Sequence, residues 1–219
     1  MITSPSAVLF DLDGTLLDTA NDLANCLNLL LAEEGRQTLP LEAIRLHVSN
    51  GANAMLDFGF GDIGPDDKPD LRSRLLKLYE ANIATHTLWF EGLEDFTAQL
   101  SASGIPWGIV TNKPRLYTDL LLDAMAITDK VDVVVCPDDL NIAKPDPRPL
   151  LHACEQVGAE PAGCIYVGDH LRDIEAGKAA GMKTIAASYG YIEDPASVPE
   201  WQADYLLEKS AEISKLFSF

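Results

Sequence analysis

The chain has 219 residues, 47% hydrophobic and 23% charged, enough for a full core and ordinary for a globular protein. Its formal charge of −18, from 16 Lys and Arg against 34 Asp and Glu, repels phosphate backbones and anionic bilayers, which argues against nucleic-acid and membrane partners. No apolar run reaches the ~20 residues of a membrane helix, the start MITSPSAVLFDLDG lacks a signal peptide's basic end, and Cys26, Cys136, Cys154 and Cys164 show no CxxC or zinc spacing; a cytoplasmic protein with reduced thiols is expected.

In chain order, Val8-Leu9-Phe10 reads as a short buried strand. From Leu16 the period changes, and Leu16, Ala20, Leu23, Leu27, Leu30 and Leu31 share one helical face, with Asp18 or Thr19 as cap and Gly35 as end. Up to about Ala84 no further strand is expected. Pro40 opens a helical stretch (Leu41, Ile44, Val48), and Ala52 to Phe58 and Leu71 to Ile83 continue the pattern, with Asp70 as the cap of the last. From Leu93 helices and strands alternate. Helices are expected at 93–103, 117–125, 149–157 and 171–180, and strands at 105–110, 131–135, 165–167 and 184–187. This alternation predicts an α/β fold with a doubly wound parallel, Rossmann-like sheet. Residues 1–16 and 88–219 would form that core, and 17–87 an inserted all-helical cap.

Polar residues gather where apolar runs stop. The first run ends in Asp11-Leu-Asp13-Gly14-Thr15, and Ile109-Val110 ends in Thr111-Asn112-Lys113-Pro114. Ile142-Ala143, read as a third strand end, leads into Lys144-Pro145, and Ile165-Tyr166-Val167 leads into Gly168-Asp169-His170-Leu171-Arg172-Asp173. Ligands of open α/β sheets bind beyond the carboxyl ends of the strands, so parallel strands would bring all four clusters to one edge. Singly each has a plainer explanation: a turn at Asp13-Gly14, a helix cap at Thr111-Asn112, a solvated Lys144, or acids favouring a helix start at Asp169 and Asp173.

In order and spacing these four motifs resemble those of the haloacid dehalogenase superfamily, in its phosphatases with a helical cap. The resemblance implies that Asp11 is a nucleophile forming an aspartyl-phosphate and Asp13 the acid and then the base. It implies that Mg²⁺ sits on the Asp11 carboxylate, the Asp13 carbonyl and the Asp169 carboxylate, with Asp173 supporting that shell or holding Lys144. Thr111 and the Asn112 amide would bind phosphate oxygens, and Lys144 would neutralise nucleophile and transferring group. A cation and a proton would then offset the repulsion of the Asp11–Asp13 pair, about 1 kcal/mol in water and several times more when partly buried.

The stretches TNKP, CPDDLNIAKPDPRPL, VGD…RDIEAGKAAG, YGYIED and WQAD resemble the phosphoglycolate phosphatase group and, within it, phosphatases of N-acetylmuramic acid 6-phosphate. The implied partner is a small-molecule phosphate ester. A β-phosphoglucomutase-like mutase would share these groups. A receiver-type signalling module would lack the paired aspartates on a first strand followed by a helical insert. Ser49-Asn50-Gly51 is either a substrate-facing loop of the cap or a plain turn between helices. Lys113, Arg115 and Arg148 are candidates for a substrate carboxylate or for the rim of the site, and His170 reads as a flanking residue.

Overall fold

The computed structural model describes residues 1–218, and the chain divides into two compact units, Met1–Leu17 with Trp89–Phe219, and Asp18–Leu88. The strands in chain order are β1 (Ile2–Thr3), β2 (Ala7–Phe10), β3 (Leu17–Asp18), β4 (Leu88–Trp89), β5 (Trp107–Val110), β6 (Val133–Val135), β7 (Cys164–Gly168), β8 (Lys183–Ala187), β9 (Tyr205–Leu207) and β10 (Phe217–Ser218). The helices are α1 (Ala20–Glu33), α2 (Leu41–Arg45), α3 (Gly51–Phe60), α4 (Lys68–Ala81), α5 (Leu93–Ala102), α6 (Arg115–Ala124), α7 (Pro137–Leu140), α8 (Arg148–Val157) and α9 (Leu171–Ala179).

The first unit is built on a sheet ordered β6-β5-β2-β7-β8-β9, with every neighbouring pair parallel. Fully buried strands such as AVLF and CIYVG have no polar face to offer solvent, as expected for a parallel sheet covered on both sides. Leu9 belongs to one core layer with Val110, Leu150, Ala153, Tyr166 and Ala176. Phe10, pointing the other way, meets Phe96 edge-on at 6.3 Å and Trp107 at 6.4 Å between ring centroids. β2 lies between β5 and β7, where the winding changes direction, and this is the place where such sheets leave a crevice.

In the second unit α1 packs against α2, α3 and α4 through Leu27, Leu30, Leu31, Ile44, Met55, Leu56, Leu75 and Tyr79, all buried. Asp22, buried near the start of α1, closes the unit. It accepts from the amides of His86 and Thr87 at 2.8 and 3.1 Å and from Thr87 Oγ1 at 2.7 Å. The strands β3 and β4, at the two crossings between the units, pair with each other.

Several expected boundaries move. The first helix starts at Ala20, because Leu17–Asp18 is taken up by strand pairing; no strand was expected there. Asp67, not Asp70, is the residue preceding α4, and Asp70 lies inside its first turn, where its charge still favours the helix dipole. Ile142 and Ala143 form no strand: the chain leaves β6, makes the short helix α7, and reaches Lys144 through a loop. The strands β1, β9 and β10 were not expected, being two or three residues long. All four cysteines are buried free thiols. Among the described residues no helix is long and apolar enough to cross a membrane.

Candidate active site

Three adjacent strands, β5, β2 and β7, deliver Thr111, Asp11 and Asp169 to one edge of the sheet. The Asp11 amide still donates to the Val167 carbonyl at 2.8 Å, so the ladder fixes the Asp11 backbone before the chain turns away. The turn is tight: the amides of Leu16 and Leu17 both donate to the Leu12 carbonyl at 3.0 Å, and the Gly14 amide donates to the Leu17 carbonyl at 3.0 Å. Gly14 adopts φ +82°, and a Cβ there would overlap Asp169 and lie 2.9 Å from the Tyr191 ring, so only glycine fits.

Lys144 is the hub. Its side chain is 1% exposed, and its Nζ lies 2.9 Å from Asp11 Oδ1 and 2.8 Å from Asp173 Oδ1. It also donates to Tyr166 Oη at 2.7 Å, and Tyr166 in turn donates to the Val110 carbonyl at 2.7 Å. Two carboxylate oxygens and a phenol thus surround the ammonium. Burial alone would lower the Lys144 pKa, but Asp11 and Asp173 outweigh it and hold it above the ordinary value. Asp11 shows the reverse balance: burial, with help from Asp173, outweighs Lys144 and pushes its carboxyl up. Tyr166 is pushed well above the ordinary range by burial and the surrounding carboxylates, and remains a neutral phenol.

Asp173 is fully occupied in this arrangement. Besides Lys144 it accepts from the His170 amide at 3.0 Å through Oδ2, so one carboxylate both holds the lysine and caps α9. His170 is the residue preceding α9, and its Nδ1 accepts from the Arg172 amide at 3.2 Å. Burial lowers its pKa to about 4, in keeping with a neutral acceptor.

Asp11, Asp169 and Asp173 each offer an oxygen, all within 4.8 Å of one another. Lys144 pairs with two of the three, Asp11 and Asp173. Asp11 Oδ1 meets Lys144 as a charge but receives no directed hydrogen bond. Hard oxygen donors gathered this closely fit a small divalent cation such as Mg²⁺.

The other expected residues divide. Asp13 is paired with Lys113, whose Nζ lies 3.0 and 3.2 Å from its two oxygens while the lysine side chain is 6% exposed. Asn112 uses its side chain to tie two loops together, Nδ2 to the Lys144 carbonyl at 3.0 Å and Oδ1 from the Lys144 amide at 2.9 Å. Thr111 Oγ1 accepts from the Lys113 amide at 3.1 Å. Arg115 is committed to α7, pairing with Asp139 and donating to the Val134 carbonyl at 3.0 Å, while Arg148 is paired with Asp146 at 2.7 Å. Ser49, Asn50 and Gly51 belong to the helical unit, where the 3-10 turn Val48–Asn50 meets α3.

Sequence reasoning missed Tyr166, which reads as one more apolar strand residue, and it missed that Lys113 is the lysine that turns inward onto Asp13. It also gave no role to Thr15 or to Tyr189-Gly190-Tyr191, although a glycine between two tyrosines just after a strand was a signal of close approach.

A model of the haloacid dehalogenase-like hydrolase family matches residues 8–187. The chain belongs to that family. It is 38% identical over 211 residues to an N-acetylmuramic acid 6-phosphate phosphatase of Pseudomonas putida, covering 96% of this chain and 95% of that one. It is 41% identical over 212 residues to a phosphoglycolate phosphatase of Xanthomonas campestris pv. campestris, covering 95% of each. A crystal structure of a predicted phosphoglycolate phosphatase from Haemophilus somnus shares the fold, with a TM-score of 0.85, 24% identity and coverage of 96% of this chain and 97% of that one. This member of the family is thus a hydrolase of the phosphatase type, in keeping with the motif resemblance.

Proposed function

We propose that the protein is a Mg²⁺-dependent phosphomonoester hydrolase that works through an aspartyl-phosphate on Asp11. The observation that carries this reading is the buried hub in which Lys144 joins Asp11 to Asp173 beside Asp169. A carboxylate attacking a phosphate dianion needs positive charge on both partners, and the hub is built to supply it. Asp11 Oδ forms the new bond to phosphorus while the bond to the leaving oxygen breaks. Asp13 gives that oxygen a proton, then takes one from the water that opens the aspartyl-phosphate. Thr111 and the Asn112 amide hold the phosphoryl oxygens. The ion, bound by Asp11, Asp169 and the Asp13 carbonyl, would supply further charge neutralisation.

The relatives support a substrate class. Those named for phosphoglycolate and for N-acetylmuramic acid 6-phosphate stand at similar identity, and both of those esters carry a carboxylate as well as the phosphate. We therefore place the substrate among small organic or sugar phosphate monoesters of this kind, used in the cytoplasm. The core residues would touch only the phosphoryl group, so discrimination between leaving alcohols is assigned to the helical segment 17–87 acting as a cap, with Ser49, Asn50 and Gly51 as its contact residues. Phosphate release should be measured on a panel holding 2-phosphoglycolate, N-acetylmuramic acid 6-phosphate and several hexose phosphates, with Mg²⁺ and with a chelator. Release from one of the carboxylate-bearing esters, lost with chelator and restored by Mg²⁺, is expected; full turnover without metal, or isomerised product in place of phosphate, would overturn the reading. Substitution of Ser49 or Asn50 should reorder kcat/KM among esters, and equal loss on all of them would assign the segment a structural role only.

A further inference from the structure

The turn Tyr189-Gly190-Tyr191 follows β8 and takes no part in the steps above, yet it is tied to Asp169 from two directions. The Tyr191 amide donates to Asp169 Oδ2 at 2.8 Å. Tyr189 Oη donates to the Thr15 carbonyl at 2.8 Å, and Thr15 Oγ1 donates to Asp169 Oδ1 at 3.4 Å. One oxygen of the carboxylate is thus held by the turn itself, and the other by a residue the turn holds.

Packing leaves no slack in this loop of contacts. A Cβ on Gly190 would overlap Asp169 and lie 2.5 Å from the Gly14 carbonyl, so the turn sits flush against both. The Tyr189 ring is backed by Phe90, with centroids 4.8 Å apart. Asp169 is 1% exposed, too deep for water to substitute freely for a lost partner.

We propose that Tyr189-Gly190-Tyr191 is a positioning strap that sets the Asp169 carboxylate for the divalent cation, with Tyr189 and Gly190 as positioning residues. The proposal rests on the metal reading given above. A carboxylate turns about two side-chain bonds, and partners that lock it raise metal affinity; losing such partners typically weakens binding about 10–100-fold. Tyr189→Phe keeps the ring on Phe90 and deletes only the bond to Thr15. Gly190→Ala forces Asp169 or the Gly14 turn to move.

The test is a calorimetric Mg²⁺ titration of the protein without substrate, beside the Mg²⁺ dependence of phosphate release. Expected are a Mg²⁺ Kd raised about 10–100-fold in Gly190→Ala and by a smaller, severalfold factor in Tyr189→Phe. In the latter kcat should recover at saturating Mg²⁺ while KM for the ester stays unchanged. Should Gly190→Ala fail to fold, Tyr189→Phe decides alone. A wild-type chain that binds Mg²⁺ together with folded variants that bind it equally well would overturn the strap and leave the phosphatase reading standing. A wild-type chain that hydrolyses esters and binds no Mg²⁺ would overturn the metal reading, and the strap with it.

Discussion

Each unit contains a cation that gathers several carboxylates, and the two are opposites in physical character. In the α/β unit Lys144, 1% exposed, holds Asp11 and Asp173 with Tyr166 completing its shell. In the helical unit Arg74, 34% exposed, reaches Glu33 at 2.9 Å, Glu34 at 2.6 Å and Asp70 at 3.6 Å. On the surface, water and salt screen such pairs, and ordering the long side chains offsets much of the attraction. In the interior the charges have lost their hydration, and each is tolerable only while its partners stay in place. The inner hub is therefore a poor way to gain stability and a good way to hold a reactive carboxylate. A comparable polar network of neutral groups would satisfy the fold at a much smaller desolvation cost.

This contrast can be broken most directly at Asp11. Asp11→Asn keeps the shape and removes the proposed nucleophile, so phosphate release should fall to background while circular dichroism is unchanged; wild-type rates from a folded variant would sink the mechanism. Lys144→Met should come next, because it leaves two buried carboxylates facing each other. Loss of activity should come with a destabilisation of about 3–5 kcal/mol, read from urea denaturation. Tyr166→Phe takes one partner from the Lys144 ammonium and one from the Val110 carbonyl, which should cost about 1–3 kcal/mol and lower kcat without abolishing it. Arg74→Ala sits at the bottom of the scale. Its melting midpoint and kcat should match the wild type within error, and a large drop in either would erase the distinction between the two clusters.

The parts of this site that could be read in the sequence are those placed by strand ends. Asp11, Thr111 and Asp169 each stand directly after an apolar run, and a parallel sheet brings such positions together whatever the loops do. Lys144 was visible as a residue type in a motif, but its route was not: it arrives by a loop after α7, where no periodicity marks the path. Lys113 was ambiguous beside Arg115 and Arg148, which flank the same motifs, and only tertiary packing sends those two outward to acids and Lys113 inward to Asp13. Tyr166 was hidden by its own strand, where a tyrosine and a phenylalanine look alike until the hydroxyl finds a partner. The short strands escaped for a simpler reason. Two or three residues such as Tyr205–Leu207 carry no measurable alternation, and pairing with β8 alone defines them.

The strand order also constrains how the molecule comes into being. The strand that leads into Asp11 ends at Phe10, yet one of its two neighbours is Cys164–Gly168, whose residues are made more than 150 positions later. At ribosomal speed that separation corresponds to roughly 10–30 s during which β2 has no second neighbour. The helical unit, continuous from Asp18 to Leu88, has its contacts within reach of one another and can condense first. The sheet's centre is among the last parts to be completed, because Val8 and Leu9 stay half-paired until Ile165 and Tyr166 arrive. Truncation anywhere before β7 therefore yields a nascent chain whose fully apolar β2 has at least one open edge, a form prone to capture by other unpaired edges. Until β7 and the start of α9 emerge, neither the phenol of Tyr166 nor Asp173 exists to complete the Lys144 hub, so hydrolytic capacity would appear abruptly rather than build up as the chain lengthens.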